Sequence, residues 1–104
     1  MARWLSRALK RIRALSASRR VRFTYKARGE LAQLGLGLDQ IDALDVLTNL
    51  EASDYTAREI SERTGEWMYV FTPEVAGMAL YLKLVLRGEC VVISFHEQGE
   101  EADG

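Results

Sequence analysis

The sequence predicts an α+β fold in which N-terminal helices pack on an antiparallel sheet. Apolar residues recur at helical spacing in the first half of the chain and alternate with polar residues after Asn49. Two alternating runs, residues 80–87 and 90–97, flank Gly88 and Glu89, and glycine first in a two-residue loop is typical of a β-hairpin. Helices followed by strands favour an α+β domain.

Length and composition are those of one globular domain. A chain of 104 residues allows one hydrophobic core. Hydrophobic residues make up 48% and charged residues 28%, which argues against a disordered chain. The single cysteine excludes an internal disulfide and a cysteine-rich zinc site. No apolar run reaches the roughly 18 residues that a membrane span needs.

The charge is distributed unevenly although the net charge is only −1. Residues 1–30 hold ten basic residues and one acid, whereas residues 31–104 hold four basic residues and fourteen acids. A basic arm on an acidic body indicates a partner that carries phosphates, or an arm that folds back on the body.

The N-terminal segment, residues 1–18, is predicted to be a basic amphipathic helix. Its apolar residues fall at helical spacing, namely Trp4, Leu5, Ala8, Leu9, Ile12 and Leu15. Three interpretations are open: a helix packed on the domain with a basic face toward RNA, a helix on an anionic membrane surface, or an organellar presequence. We treat it as an extension of a domain that spans residues 19–97.

Two further helices are expected before the strands begin. A short segment at residues 21–25 precedes a helix at residues 26–34, and Gly35 occupies the position of a left-handed C-cap. Asp39 is a suitable N-cap for a third helix at about residues 40–50.

The second half of the chain is expected to form a meander of strands. Residues 67–71 are rich in aromatic residues, and residues 54–63 form a strand or a short helix, with the strand favoured. Residues 80–87 and 90–97 form the hairpin. The acidic tail, residues 98–104, is expected to be frayed.

The hairpin register determines which side chains share a face. With Gly88 and Glu89 as the turn, the expected pairs are Arg87–Cys90, Val85–Val92, Lys83–Ser94 and Tyr81–His96. One face then collects the polar residues Tyr81, Lys83, Arg87, Ser94 and His96. The core side collects four leucines together with Val91, Ile93 and Phe95.

This polar set contains the groups needed to cleave RNA without a metal ion. Histidine can serve as base or acid near neutral pH, and lysine and arginine can stabilise phosphate charge. Tyr81 can donate a hydrogen bond or a proton. The site requires that Tyr81 and His96 look outward from the same face. The alternative is an ordinary solvated strand face with an exposed histidine.

Other side chains have a structural interpretation beside the functional one. Trp67, Tyr69 and Phe71 share a face that is either core or a surface on which bases stack, and Tyr69 is the candidate for stacking. Cys90 is expected to be a buried apolar residue. We expect no metal site and no cofactor.

Five segments resemble the MqsR family of type II toxins over roughly residues 19–97. They are Leu-Gly-Leu-Gly-Leu-Asp at 34–39, Leu-Glu-Ala-Ser-Asp-Tyr at 50–55, Gly-Glu-Trp-Met-Tyr-Val-Phe at 65–71, Leu-Tyr-Leu-Lys at 80–83 and Val-Ile-Ser-Phe-His-Glu at 92–97. The resemblance implies a RelE-like fold, a cytoplasmic protein and a metal-independent endoribonuclease that cleaves mRNA and so inhibits translation and growth. It also implies an MqsA-like antitoxin with zinc-binding and helix-turn-helix domains. Operator DNA is then bound only through the toxin–antitoxin complex.

The family's catalytic residues carry over unevenly. Tyr81 matches the family's tyrosine, His96 stands where the family has a lysine, and Met68 replaces a glutamine. The family's other lysine aligns near Ala57 or Arg58, of which only Arg58 carries charge. The expected catalytic set is Tyr81, His96, Lys83 and Arg58, and the expected RNA contacts are Arg87, Tyr69, Ser94, Arg22 and Lys26. The alternative function is a non-catalytic RelE-like domain that binds an antitoxin or another regulatory partner.

Overall fold

The structure is a computed structural model that describes residues 2–100. The helices are α1 (Arg3–Ala17), α2 (Tyr25–Gln33) and α3 (Gln40–Thr48), followed by a short 3₁₀ helix (Ala52–Asp54). The strands are β1 (Val21–Phe23), β2 (Tyr55–Ile60), β3 (Trp67–Phe71), β4 (Glu74–Val75), β5 (Met78–Leu86) and β6 (Cys90–Glu97). The expected α+β fold with N-terminal helices is confirmed.

The strands form one mostly antiparallel sheet in the order β1-β6-β5-β3-β2, with β4 paired to β5. The exception is β1, which runs parallel to β6. The predicted strand within residues 54–63 is confirmed as β2, and the predicted strand at residues 67–71 is confirmed as β3. The predicted C-terminal tail falls partly on residues 101–104, which lie outside the described residues.

Helix α1 packs its apolar stripe on the core. Five residues of the helix are buried, and all five follow the helical period: Leu5, Ala8, Leu9, Ile12 and Ser16. The guanidinium of Arg13 donates to the carbonyl oxygen of Leu50 from Nη2 at 2.6 Å and from Nε at 2.9 Å. The helix is therefore held by packing and by its own basic side chains. In the described part of the chain, no helix combines the length and the apolarity needed to cross a membrane.

Local capping sets the starts of α2 and α3. The hydroxyl of Thr24 accepts a hydrogen bond from the amide of Ala27. Asp39 and Asp42 form a reciprocal capping box, in which each carboxylate accepts from the other residue's amide at 2.8 and 3.0 Å. The predicted N-cap at Asp39 is confirmed, and Gly35 has the positive φ of 75° expected after a helix.

The β5–β6 hairpin contains a bulge that the sequence analysis did not predict. Tyr81 pairs with His96 and Lys83 with Ser94 as expected, but Leu84 pairs with Val92. Ile93 is therefore an extra residue in β6. The predicted pairs Arg87–Cys90 and Val85–Val92 are wrong, because Leu86 pairs with Cys90 and Val85 with Val91. The turn spans three residues, and the Arg87 amide donates to the Glu89 carbonyl oxygen at 2.9 Å.

The bulge decides which residues of β6 enter the core. Cys90, Val92 and Phe95 join the leucines of β5 and the buried residues of all three helices. Val91 and Ile93 lie on the other side of the sheet, where both line a surface cleft, so the prediction that they face the core is wrong. Cys90 is fully buried as predicted, and burial raises the pKa of its thiol to about 12.

The sheet therefore has two unlike faces. The helix face carries the core beneath α1, α2 and α3. We call the opposite side the open face; it carries Tyr81, Lys83, Val85, Ser94 and His96. The residues of this face come from neighbouring strands whose registers place them side by side.

The packing of α1 predicts that Ile12→Ala destabilises the whole domain. Ile12 is fully buried in the core, so the substitution should lower the free energy of unfolding by about 2–5 kcal/mol. Urea denaturation measures it. Ile41→Ala on α3 is the matched control, since Ile41 is 50% exposed and its loss should cost within about 0.5 kcal/mol. Equal effects of the two variants would show that α1 is not part of the cooperative core.

Candidate active site

Tyr81 and His96 form a stacked pair on the open face. They are direct partners across β5 and β6, and their ring centroids lie 5.0 Å apart with an interplanar angle of 13°. The predicted placement of both rings on one side of the sheet is thus observed. The His96 residue is only 8% exposed, however, so the expectation that its ring looks outward into solvent is wrong.

The hydrogen bond of His96 identifies its neutral tautomer. Nδ1 lies 2.8 Å from the carbonyl oxygen of Glu97. Because a carbonyl oxygen only accepts hydrogen bonds, Nδ1 carries the proton and donates it. In the neutral ring Nε2 is then the nitrogen with a free lone pair, which is the form that a general base requires.

Lys83 lies next to this pair and is held by an ion pair. Its Nζ is 2.9 Å from Oε1 of Glu59 on β2, which also faces the open side. Burial lowers the pKa of Lys83, but the hydrogen bond to Glu59 and the nearby Tyr81 outweigh that effect and raise it. Lys83 therefore stays cationic at neutral pH and is suited to stabilising negative charge rather than to accepting a proton.

Helix α2 brings a second lysine to the open face. Lys26 Nζ donates to the Ser94 hydroxyl at 3.0 Å and lies 2.9 Å from a carboxylate oxygen of Glu30. The other Glu30 oxygen accepts from the backbone amide of Phe95 at 3.0 Å. Since Ser94 pairs with Lys83, the two lysines flank the same hydroxyl. Four charged side chains thus form a row across the open face, in the order Glu59, Lys83, Lys26, Glu30.

The open face continues into a cleft at the β5–β6 turn. This turn cleft has a volume of about 380 Å³ and is lined by Arg22, Thr24, Ser61, Arg63, Thr64, Glu66, Met68, Val85, Arg87, Val91 and Ile93. Arg22 is paired with Glu89 at 2.9 Å. Arg87 is paired with both carboxylate oxygens of Glu66 at 2.8 and 2.7 Å. The cleft combines an apolar floor with arginines on its rim.

Two of the predicted site residues lie on the helix face instead. Arg58 pairs with Tyr69 across β2 and β3, and Tyr69 pairs with Leu84, so both project toward the core side. The Arg58 guanidinium carbon lies 3.8 Å from the ring centroid of Trp4 and 3.9 Å from that of Trp67. The structure therefore brings Tyr81, His96, Lys83, Ser94 and Lys26 together but leaves Arg58 and Tyr69 apart from them.

The two acids that pair with Lys26 and Lys83, Glu30 and Glu59, were not predicted from the sequence. Glu30 had a visible signal, because it follows Lys26 by four residues in a predicted helix. The signal for Glu59 was weaker. It directly follows Arg58 in a predicted strand, so the two side chains face opposite sides of the sheet. The sequence did not reveal which of the two would reach Lys83.

The fold is of the α+β class with N-terminal helices on a mostly antiparallel sheet, as in RelE-like toxins. A family model described as motility quorum-sensing regulator, toxin of MqsA, matches residues 6–97. The protein therefore belongs to the MqsR family, whose members are toxins of toxin–antitoxin systems, and membership implies an antitoxin partner. No curated protein matches the chain.

The ion pair at the turn predicts a specific dependence of stability on acid. The hydrogen bonds from Arg87 lower the pKa of Glu66 from 4.5 to about 2. Because the pKa is lower in the folded state, ionised Glu66 stabilises the fold above pH 4.5, and the contribution is lost as the pH falls toward 2.

Glu66→Gln should therefore show a smaller loss of stability than the wild type over that pH range, measured as the urea midpoint at each pH. Glu62→Gln is the control, because it removes an exposed carboxylate nearby and keeps the Glu66–Arg87 pair. Parallel pH curves for wild type and Glu66→Gln would contradict the assignment.

Proposed function

We propose that the protein is a metal-independent endoribonuclease that cleaves mRNA, with the open face as its active site. The observation that carries the proposal is the pairing of Tyr81 with His96 beside Lys83 on one face of the sheet. These are the groups that metal-free RNA cleavage needs: a base, a hydrogen-bond donor and a fixed positive charge.

The proposed reaction uses the 2′-hydroxyl of the RNA as the nucleophile. Nε2 of His96 accepts the proton of that hydroxyl, and the 2′-oxygen forms a bond to the adjacent phosphorus. The bond from phosphorus to the 5′-oxygen breaks, and the hydroxyl of Tyr81 donates a proton to that oxygen. Lys83 stabilises the additional negative charge on the phosphate oxygens in the transition state. The products are a 2′,3′-cyclic phosphate and a free 5′-hydroxyl.

The RNA strand is proposed to run along the open face toward the turn cleft. Lys26 and Ser94 lie beside the reacting phosphate, and Arg22 and Arg87 lie further along at the rim of the cleft. Arg58 takes no part in this mechanism, because its guanidinium lies on the other side of the sheet. The two lysines of the open face and the two arginines Arg22 and Arg87 of the cleft each have a carboxylate partner, so RNA phosphates must compete with these carboxylates.

The proposed partners follow from the family. The antitoxin is of the MqsA kind, with a zinc-binding domain and a helix-turn-helix domain. Operator DNA is bound only through the toxin–antitoxin complex, and the protein acts in the cytoplasm. Inhibition of translation and growth then results from the cleavage of mRNA.

A second candidate function is a RelE-like domain that binds its antitoxin but does not cut RNA. Two observations favour it. His96 is only 8% exposed, and Lys83 is already engaged by Glu59. In this case the polar open face is a surface with satisfied charges rather than a catalytic centre.

The experiment compares purified wild type with His96→Gln and Tyr81→Phe on mixed cellular RNA. Tyr81→Phe keeps the ring, and His96→Gln replaces the imidazole by an amide of similar size. Each substitution removes a proton-transfer group, so cleavage should fall about 10²-fold or more. Tyr25→Phe is the matched control, because Tyr25 is 93% exposed and its hydroxyl lies outside the proposed site. Wild-type cleavage should also be unchanged by a chelator.

Cleavage by both site variants at the wild-type rate would contradict the proposed site. A wild type that leaves RNA intact, yet binds its antitoxin and is folded by circular dichroism, would support the second candidate function.

A further inference from the structure

We propose that the RNA strand extends past the β5–β6 turn into a second groove on the helix face, where a base stacks on Trp67. We call it the Trp67 groove. It has a volume of about 410 Å³ and lies between α1 and β3, with a lining that includes Trp4, Arg7, Arg11, Glu66, Trp67 and Tyr69. This inference rests on the proposed function, because the open face is taken to hold the reacting phosphate.

A layered stack of planar groups forms the wall of the groove. Arg58 is sandwiched between Trp4 and Trp67, at 3.8 and 3.9 Å from the two ring centroids. Tyr69 also packs against Trp4, with the ring centroids 6.0 Å apart and the planes inclined by 29°. Trp67 is the outer layer on its side of Arg58 and lines the groove.

Trp67 leaves a free surface at the end of this stack. It is 40% exposed although the Arg58 guanidinium covers one ring face. A nucleobase on the remaining surface would extend the stack by one layer, as bases do on aromatic side chains of single-strand binding proteins. The guanidinium behind the ring keeps the ring in a fixed orientation.

The charge around the groove favours a phosphate-bearing occupant. Arg7 and Arg11 line it from α1, a helix that has five basic residues and no acid. The acidic residue in the lining is Glu66, and both of its oxygens are already engaged by Arg87. The exposed guanidinium of Arg7 is therefore available to a phosphate that follows a base stacked on Trp67.

The Trp67 groove adjoins the turn cleft. Glu66 lines both, and the Glu66–Arg87 ion pair lies where they meet. Arg11 also reaches this point, since its guanidinium donates to the carbonyl oxygen of Arg87. From Tyr81 to Arg87 the strand runs six residues, or about 20 Å at ~3.3 Å per residue. Only a strand of several nucleotides can therefore occupy the open face and the Trp67 groove together.

The experiment measures binding of two 2′-O-methylated RNA probes, of about four and about sixteen nucleotides, by fluorescence anisotropy. Methylation blocks the 2′-oxygen, so neither probe can be cleaved. In the wild type the long probe should bind more tightly than the short one. Trp67→Leu should reduce the ratio of the two affinities about tenfold, which is the effect of losing one stacked base. Trp67→Phe should restore most of that ratio.

The phosphate contact is tested by a matched pair of charge variants. Arg7→Gln should lower the salt dependence of long-probe binding by about one unit of the logarithmic slope. Arg28→Gln removes the same charge from an exposed position on α2 and should leave the slope unchanged.

An unchanged affinity ratio in Trp67→Leu would overturn the inference, and so would an equal loss for both probes. A Trp67→Leu variant that loses its antitoxin rather than the long probe would also overturn it, since the groove would then be a protein interface. The proposed function is judged separately by cleavage of unmodified RNA. Cleavage of RNA without an effect of Trp67→Leu on the affinity ratio would thus refute only the binding of RNA in the Trp67 groove. An effect of Trp67→Leu without cleavage would refute only the proposed nuclease activity.

Discussion

The pairing of β5 with β6, including the bulge at Ile93, is the constraint on which the molecule depends. Leu80, Leu82 and Leu84 are fully buried, so β5 has one register that keeps them from water. Near the turn the partner strand presents Cys90 and Val92 to that core, and near the open end it presents Phe95. Val92 and Phe95 are three positions apart, and residues at this odd spacing share a face of the sheet only because Ile93 is inserted between them. Without the bulge, one end of β6 would place its polar residues in the core.

The same pairing separates two kinds of surface on a small domain. The open face holds Tyr81, His96 and Lys83, and the helix face holds the core and the Trp–Arg–Trp stack. The two surfaces meet at the β5–β6 turn. There the Arg87 side chain pairs with Glu66, and the Arg87 carbonyl oxygen accepts a hydrogen bond from the Arg11 guanidinium. Besides their contribution to stability, these contacts hold Arg11 and Arg87 in fixed orientations where the two surfaces meet.

Of the two outcomes predicted for the basic arm, folding back on the body is observed for part of the arm. Arg13 donates to the Leu50 carbonyl oxygen, Arg22 pairs with Glu89, and Lys26 donates to the Ser94 hydroxyl. Other basic residues of α1, such as Arg3, Arg7 and Lys10, remain exposed. The arm is thus both a structural element and a basic surface, and the core contacts of Ile12 are what keep that surface in place.

Local signals in the sequence were sufficient for the elements themselves. Asp39 caps α3, Gly35 follows α2 with a positive φ, and the alternation of residues 80–87 predicted β5, because each depends on a few neighbouring residues. The sequence also determined that Tyr81 and His96 share a face, since strand alternation and one pairing register are enough. Only the tertiary structure decided that His96 is largely covered, that Glu59 rather than Arg58 reaches Lys83, and that Val91 leaves the core. These outcomes depend on a bulge and on contacts between elements that are distant in the sequence. The spacing of residues within one segment does not show which of these contacts has the lower free energy.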